Sequence, residues 1–441
     1  MGIISVRTKI SEHIHSREDW SFFMVRVYRF TGVRPERSAA PEIAAVPYDI
    51  VTVDEARSII QQSPQSFLRV SRADTDLPEV PLHDDRVYQR ARDNFLRYLK
   101  NGSMLRDATP GMYLYRVTQG TDMFLGLCCC LDVDDYRTNR IRRHEQTRYD
   151  KEEDRTRHIE VTRTHNGPVV LLYRDTDGIF SFIESLVSPT EVPDAEVHIK
   201  GGGVHQIYRI SDPSMLVQIE RRFAQIPLVY IADGHHRAKS AVNVADRNKG
   251  VQKGEEINRF MGVLFAHNRV RIHGYSRLLT DIGTFSPQSF LTGLREFFDI
   301  QPYENGDVFN YHIQPKTEQP HLYHIMHLYL DGKWYECTRS IDPRATALES
   351  LDVAVLQEYV LKGMFGITDP RGDNRLQYLG GARPIRDLEQ IVDSGNYAIA
   401  FVMQPLKVDA VLDIADAGGI MPPKSTWFEP KLLSGLVVHT F

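Results

Sequence analysis

IPLVYIADGHHRAKSAVNVA, residues 226–245, sets a short apolar run against a row of ionisable side chains with one glycine between them. Leu228 to Ile231 has the length and composition of a strand, and Asp233-Gly234 has the chemistry of a tight turn. Ala238, Ala241, Val242 and Ala245 then recur at spacings of three and four, which predicts a helix beginning near His235. In that order, strand, turn and helix aim backbone N–H groups without internal partners at the space beyond the strand end. The helix also brings partial positive charge there, so an anion such as a phosphate is suited to the spot.

The side chains extend that reading. Arg237 can hold phosphate oxygens in a two-pronged fork, and His235 and His236 can donate hydrogen bonds to charge that builds up during a transfer. A carboxylate repels phosphate unless a divalent cation lies between them, so Asp233 is assigned Mg²⁺ or an orienting role. The plainer alternative is that Asp233 caps the helix and the histidines are ordinary surface residues.

Strands and helices alternate on both sides of this segment. PVVLLYRD, VHQIYRIS and IPLVYIAD read as strands, with helices around FSFIESLV and SMLVQIERRFA. Upstream, VPYDIVTVDEARSII predicts a turn and a helix capped by Thr52 or Asp54, PQSFLRVSR a strand, and RVYQRARDNFLRYLKNG a helix ending at Asn101-Gly102. GMYLYRVTQG and DMFLGLCCCLDV predict a hairpin with a Gln-Gly turn. Downstream, HLYHIMHLYLDGKWYECT predicts a hairpin with an Asp-Gly turn and LDVAVLQEYVLKGMFG a helix ending at glycine. The expectation is a mixed α/β (α+β) chain in three parts: an N-terminal module over 1–120, a core over 121–280, and a C-terminal α/β region over 281–441.

Composition excludes several classes. The chain has 441 residues, 42% hydrophobic and 25% charged, enough for two or three ordinary globular domains. A net charge of -5 offers no global field for polyanions, which disfavours nucleic acid and anionic membranes as partners. Cys128, Cys129 and Cys130 are adjacent and Cys337 stands apart, so neither a disulfide framework nor a paired zinc motif can be written. The opening MGIISVRTKISEHIHS has no apolar core for a signal peptide, and no run approaches membrane-spanning length. A cytoplasmic location is the expectation.

Two further stretches carry chemistry. Arg142-Arg143-His144-Glu145-Gln146-Thr147-Arg148 lies in a polar run of mixed charge, most simply a solvated helix laced with ion pairs. Glu145 there can take a proton from a hydroxyl, and Arg143 and Arg148 can neutralise a carboxylate or phosphates. HEQTR is not HExxH, because Arg148 stands where the second histidine of a zinc protease belongs. Met421-Pro422-Pro423-Lys424-Ser425-Thr426 is a stiff coil whose lysine and hydroxyls can hold phosphate, or a rigid turn before the last strand; no Walker A loop occurs. Gly201-Gly202-Gly203 reads as a linker.

Taken in order, the His144-Glu145 pair, the Asp233-Gly234-His235-His236-Arg237 box and the Pro423-Lys424-Ser425-Thr426 element resemble the free L-serine kinases and the long bacterial branch that shares their ParB/sulfiredoxin-like core. APEIAAVPYDIVTVDEA and MPPKSTWFEPKLLSGLV are similar to the long branch as well. The resemblance implies a nucleotide-binding core and phosphoryl transfer from ATP or ADP, with Mg²⁺, to the hydroxyl of free serine. It implies Glu145 as general base, the Asp233–Arg237 box with its two histidines on nucleotide phosphates and metal, and Lys424, Ser425 and Thr426 closing the phosphate site. His144, Arg143 and Arg148 are substrate-binding candidates. The second reading is a nucleotide-sensing module without catalysis, which would not require Glu145. A DNA-binding partition protein ranks third, since no helix-turn-helix or basic domain is evident.

Overall fold

Two almost continuously buried stretches form an antiparallel pair, Met112–Gln119 with Asp122–Asp132, which turns at Gly120 in the left-handed region (φ 58). In the computed structural model, residues 24–188, 190–248, 250, 255–304, 313–380 and 384–441 are described; the opening stretch read above for a signal peptide lies outside them. The chain divides into two units. One holds the described residues up to 142 with 147–270 and 430–441, and the other holds 143–146 with 271–429.

The first unit is organised by a nine-stranded mixed sheet. From one edge its strands are Ile141–Arg142, Val229–Asp233, Val169–Tyr173, Arg259–Ala266, Asp122–Asp132, Met112–Gln119, Gly203–Ile210 and Ala195–Ile199, with Val27–Tyr28 added to Asp122–Asp132. Val229–Asp233 runs parallel to Ile141–Arg142 and antiparallel to Val169–Tyr173. Pro213–Phe223 buries Leu216, Ile219 and Phe223, and His235–Arg247 buries Ala238, Ala241, Val242 and Ala245, in one core with the sheet residues Leu114, Leu127, Cys129 and Leu171. The mixed α/β class is therefore as expected, and all four cysteines are buried.

The second unit is built on a six-stranded antiparallel sheet, in the order Asp299–Tyr303, Lys333–Ser340, Tyr323–Leu330, Ile399–Met403, Ser276–Leu279, Leu376–Leu379. Its Asp331-Gly332 turn has both residues at positive φ (50 and 72), the geometry that two-residue hairpins prefer. Arg271–His273 pairs separately with Trp427–Glu429.

Several expectations need correction. PQSFLRVSR is helical at Leu68–Ser71 and not a strand, with Phe67, Leu68, Val70 and Ser71 all buried. Gly201 and Gly203, at φ 74 and 87, form the turn between Ala195–Ile199 and Gly203–Ile210, so the triple glycine is a hairpin turn and not a linker. LDVAVLQEYVLKG begins as an α-helix, Asp352–Val355, and continues as a π-helix, Leu356–Lys362. The three-part division drawn from composition also differs from the two units: the 120/121 boundary falls in a hairpin turn, and residues 430–441 belong to the first unit. The helix Tyr149–Thr162 carries the ion pairs read from its charges and still buries Thr156, His158, Ile159 and Thr162.

Candidate active site

In the first unit, the pairing of Val229–Asp233 with Val169–Tyr173 shifts register between Ile231 and Asp233, and Gly234 follows at φ 91. That left-handed step lets His235–Arg247 start at once, with its first N–H groups past the strand end. A side chain at Gly234 would also meet Arg237, whose Cζ lies 3.0 Å from the position of a Cβ.

Asp233 is met by two cations. Its Oδ1 accepts from the Gly234 N–H at 2.9 Å, and its Oδ2 lies 3.3 Å from Lys431 Nζ and 3.5 Å from Arg237 Nη2. The Arg237 side chain is only 11% exposed and donates to the Pro168 carbonyl. Burial works against its charge, but Asp233, Asp49 and Tyr48 outweigh burial and hold its pKa above the ordinary value. Burial likewise pushes the Tyr48 phenol up to about 12, against the pull of Arg155, whose guanidinium lies 4.3 Å above the Tyr48 ring. His236 Nε2 accepts the Arg148 N–H at 3.0 Å, which assigns the ring proton to Nδ1. His235 is buried.

This group of residues can hold an anion by backbone N–H groups, a guanidinium and an ammonium. Magnesium needs one carboxylate, keeps its waters and accepts substrate phosphates, so an Mg²⁺ ion here would compete with Arg237 and Lys431 for Asp233. Asp233 is the candidate ligand, and Arg237 and Lys431 are the positive charges beside it.

In the second unit, the buried His144 joins two of the three stretches. Its carbonyl accepts from the Met421 N–H at 2.8 Å, its Nε2 lies 3.5 Å from the Thr426 hydroxyl, and its ring is 6.1 Å from that of Phe428. Ser425 donates to the Pro422 carbonyl at 2.6 Å, and Lys424 sits in the left-handed region (φ 55) with its ammonium 5.3 Å from the Tyr275 ring centre. Glu145 is half-buried and lines a cavity of about 400 Å³ together with Gln146, Gln357, Arg371 and Met421–Pro423. Such a carboxylate can receive a hydroxyl proton from a molecule in the cavity.

Asp233, Gly234, His235, His236 and Arg237 are thus assembled with Arg148 in one unit, and His144 and Glu145 with Lys424, Ser425 and Thr426 in the other. Arg143 is exposed, and Arg148 pairs with Asp150 at 2.8 Å. Lys431, Tyr48, Asp49, Pro168 and Arg371 were not singled out from sequence. Lys431 is 198 positions from Asp233, and no local pattern signals that pairing. A separate group, Cys130, Glu256 and His439, brings a thiol, a carboxylate and an imidazole within 4.8 Å of one another; His439 Nε2 and Glu256 are hydrogen-bonded at 2.8 Å, and burial raises the Cys130 thiol.

Residues 27–354 match the model of a family described as a protein of unknown function, DUF1015. The chain belongs to the DUF1015 family. No curated protein matches it. Among solved structures, this DUF1015 chain is similar to a free serine kinase in complex with AMP at 13% identity and TM-score 0.36, over 74% of this chain and 94% of that one. A conserved hypothetical protein from Pyrococcus furiosus is similar at 13% identity and TM-score 0.32, over 68% and 90%. SbnI with a C-terminal truncation, from Staphylococcus aureus, is similar at 9% identity and TM-score 0.35, over 70% and 85%. Among the described residues no helix is long and apolar enough to cross a membrane.

Proposed function

We propose that this chain is a small-molecule kinase that transfers phosphate from ATP or ADP to the hydroxyl of a free amino acid, with L-serine as the first acceptor to test. The observation that carries the reading is the Asp233-Gly234-His235 strand, turn and helix start, with Arg237 and Lys431 beside its carboxylate. Phosphoryl transfer asks chiefly for alignment and charge stabilisation, which helix N–H groups, a guanidinium and Mg²⁺ at Asp233 supply. His235 and His236 assist on the transferring group, Lys424, Ser425 and Thr426 help hold the phosphates, and His144, Arg143 and Arg148 are the acceptor candidates read from sequence. Glu145 accepts the hydroxyl proton, and its place on a cavity wall supports that role.

The test is incubation of the purified chain with L-serine, Mg²⁺ and either ATP or ADP, followed by mass spectrometry for O-phosphoserine. AMP and ADP, the ligands of the free serine kinase structures, are the nucleotides for binding measurements. Phosphoserine is the expected product. An inert chain across a panel of hydroxy amino acids would overturn the kinase.

One observation favours a second reading, a nucleotide sensor without transfer. Arg237 is turned inward onto Pro168 and Asp233, a contact that an arriving phosphate would compete with. Saturable nucleotide binding that changes assembly state, with no phosphate transferred, would select it.

A further inference from the structure

Serine has too few atoms for the space beside Glu145. The cavity of about 400 Å³ falls within the roughly 300–1,000 Å³ of pockets that take drug-sized ligands, whereas serine adds only a hydroxymethyl side chain to its ammonium and carboxylate. Its walls are of two kinds. Glu145, Gln146, Asp369 and Arg371 form a polar side. Arg371 Nε and Nη2 bond to the Asp369 carboxylate at 2.9 and 3.0 Å, and Nη1 lies 3.4 Å from Gln146 Oε1, so an exposed pair of opposite charges lines the same cavity as the candidate base. That pairing complements a zwitterion, with ammonium toward Asp369 and carboxylate toward Arg371.

The other side is apolar, from Leu348, Ala354, Ile420 and Met421–Pro423. Ile420 keeps 37% of its surface exposed on this wall. Ala354 belongs to the last α-helical turn before the π-helix Leu356–Lys362, and the amide of Gln357 is tied to the Ile367 carbonyl at 2.9 Å. π-Helical turns are rare and concentrate at functional sites, which agrees with a cavity here.

We infer that the acceptor is a hydroxy amino acid with an apolar body. Its zwitterionic end lies on Asp369 and Arg371, its hydroxyl at Glu145, and its apolar substituent against Ala354 and Ile420. The inference rests on the kinase reading of the same site. In the step itself the hydroxyl proton passes to the Glu145 carboxylate, and the oxygen forms a bond to the terminal phosphorus of ATP or ADP. The bond from that phosphorus to its bridging oxygen breaks, and ADP or AMP leaves with the electron pair.

The test offers L-serine and β-phenylserine in competition to the full chain with Mg²⁺ and ATP or ADP, and quantifies both phosphorylated products. kcat/KM for β-phenylserine should exceed that for serine at least tenfold. Ala354→Trp, or Ile420→Ser should the first variant fail to fold, should reduce that ratio at least tenfold. A preference for serine, or a ratio unmoved in a folded variant, overturns the inference and leaves the kinase standing. If neither these acceptors nor the rest of the hydroxy amino acid panel is phosphorylated, the kinase reading fails instead. Calorimetry with β-phenylserine alone then decides the cavity: binding that Ala354→Trp abolishes supports an apolar ligand, and no binding overturns it.

Discussion

His144 and Thr426, 282 positions apart in sequence, approach to 3.5 Å between the ring Nε2 and the hydroxyl oxygen. The backbone bond from the Met421 N–H to the His144 carbonyl fixes the same meeting at 2.8 Å. Two stretches singled out for their chemistry alone are therefore neighbours, and Glu145 follows directly from the tethered residue. His144 is buried, and its carbonyl and ring are both engaged at this meeting.

Glu145→Gln keeps the shape of the side chain and removes the proton acceptor. Turnover should fall by about 10²–10⁴-fold, the usual contribution of a positioned general base, while nucleotide binding measured by calorimetry stays within a factor of about two. Loss of binding and turnover together would assign Glu145 to the nucleotide rather than to the acceptor.

Gly234→Ala should damage the anion-binding turn in two ways. An L-residue in the left-handed region costs about 1–2 kcal/mol, and the new methyl group would press on the Arg237 guanidinium. Gly178→Ala is the control, since Gly178 is also left-handed (φ 67) but has nothing within 4 Å of its Cβ position. Urea denaturation should show a loss in both variants, larger for Gly234→Ala. Only Gly234→Ala should also weaken AMP or ADP binding.

Arg237→Lys tests whether the fork matters or only the charge. Arg237 bonds the Pro168 carbonyl through Nη1 and faces Asp233 through Nη2, two directions that one ammonium cannot serve together. The variant should lose about 1–3 kcal/mol of stability from the stranded partner and bind ADP at least tenfold more weakly. Unchanged affinity would take Arg237 out of the phosphate site.

Much of this was legible from the sequence where local chemistry and periodicity agreed. The Asp233-Gly234-His235 turn, the Asp331-Gly332 hairpin and the Thr52 cap, with its Glu55 partner, each follow from residues within a few positions of one another. Legibility failed where tertiary burial decides. Leu68–Ser71 is short and apolar, and nothing within PQSFLRVSR distinguishes a strand from a helix once both faces are buried. Lys431 beside Asp233, and Tyr48 under Arg155, are set by distant segments meeting. The π-helical turn at Leu356 has no signature in side-chain spacing, because its apolar residues fit an α-helix equally well.

Two buried histidines make stability depend on pH in a stated direction. Burial depresses His158 and His205 from the ordinary value near 6.5 to about 4, with the Arg155 charge adding to the effect at His158. His158 Nε2 lies 2.9 Å from the Val70 carbonyl, a bond that favours the charged ring but is outweighed by burial, and His205 Nδ1 lies 3.1 Å from the Tyr115 hydroxyl. In the unfolded chain they gain protons below pH 6.5, whereas the folded chain resists until about pH 4. The folded state is thus fully favoured above pH 6.5 and loses stability as pH falls through that window, by up to about 3 kcal/mol for each ring. Urea denaturation at pH 7.5, 6 and 5 should show this decline. His158→Gln, whose amide can still donate to Val70, should shift the whole curve yet flatten its slope by close to one proton. A slope unchanged in that variant would place the acid sensitivity elsewhere.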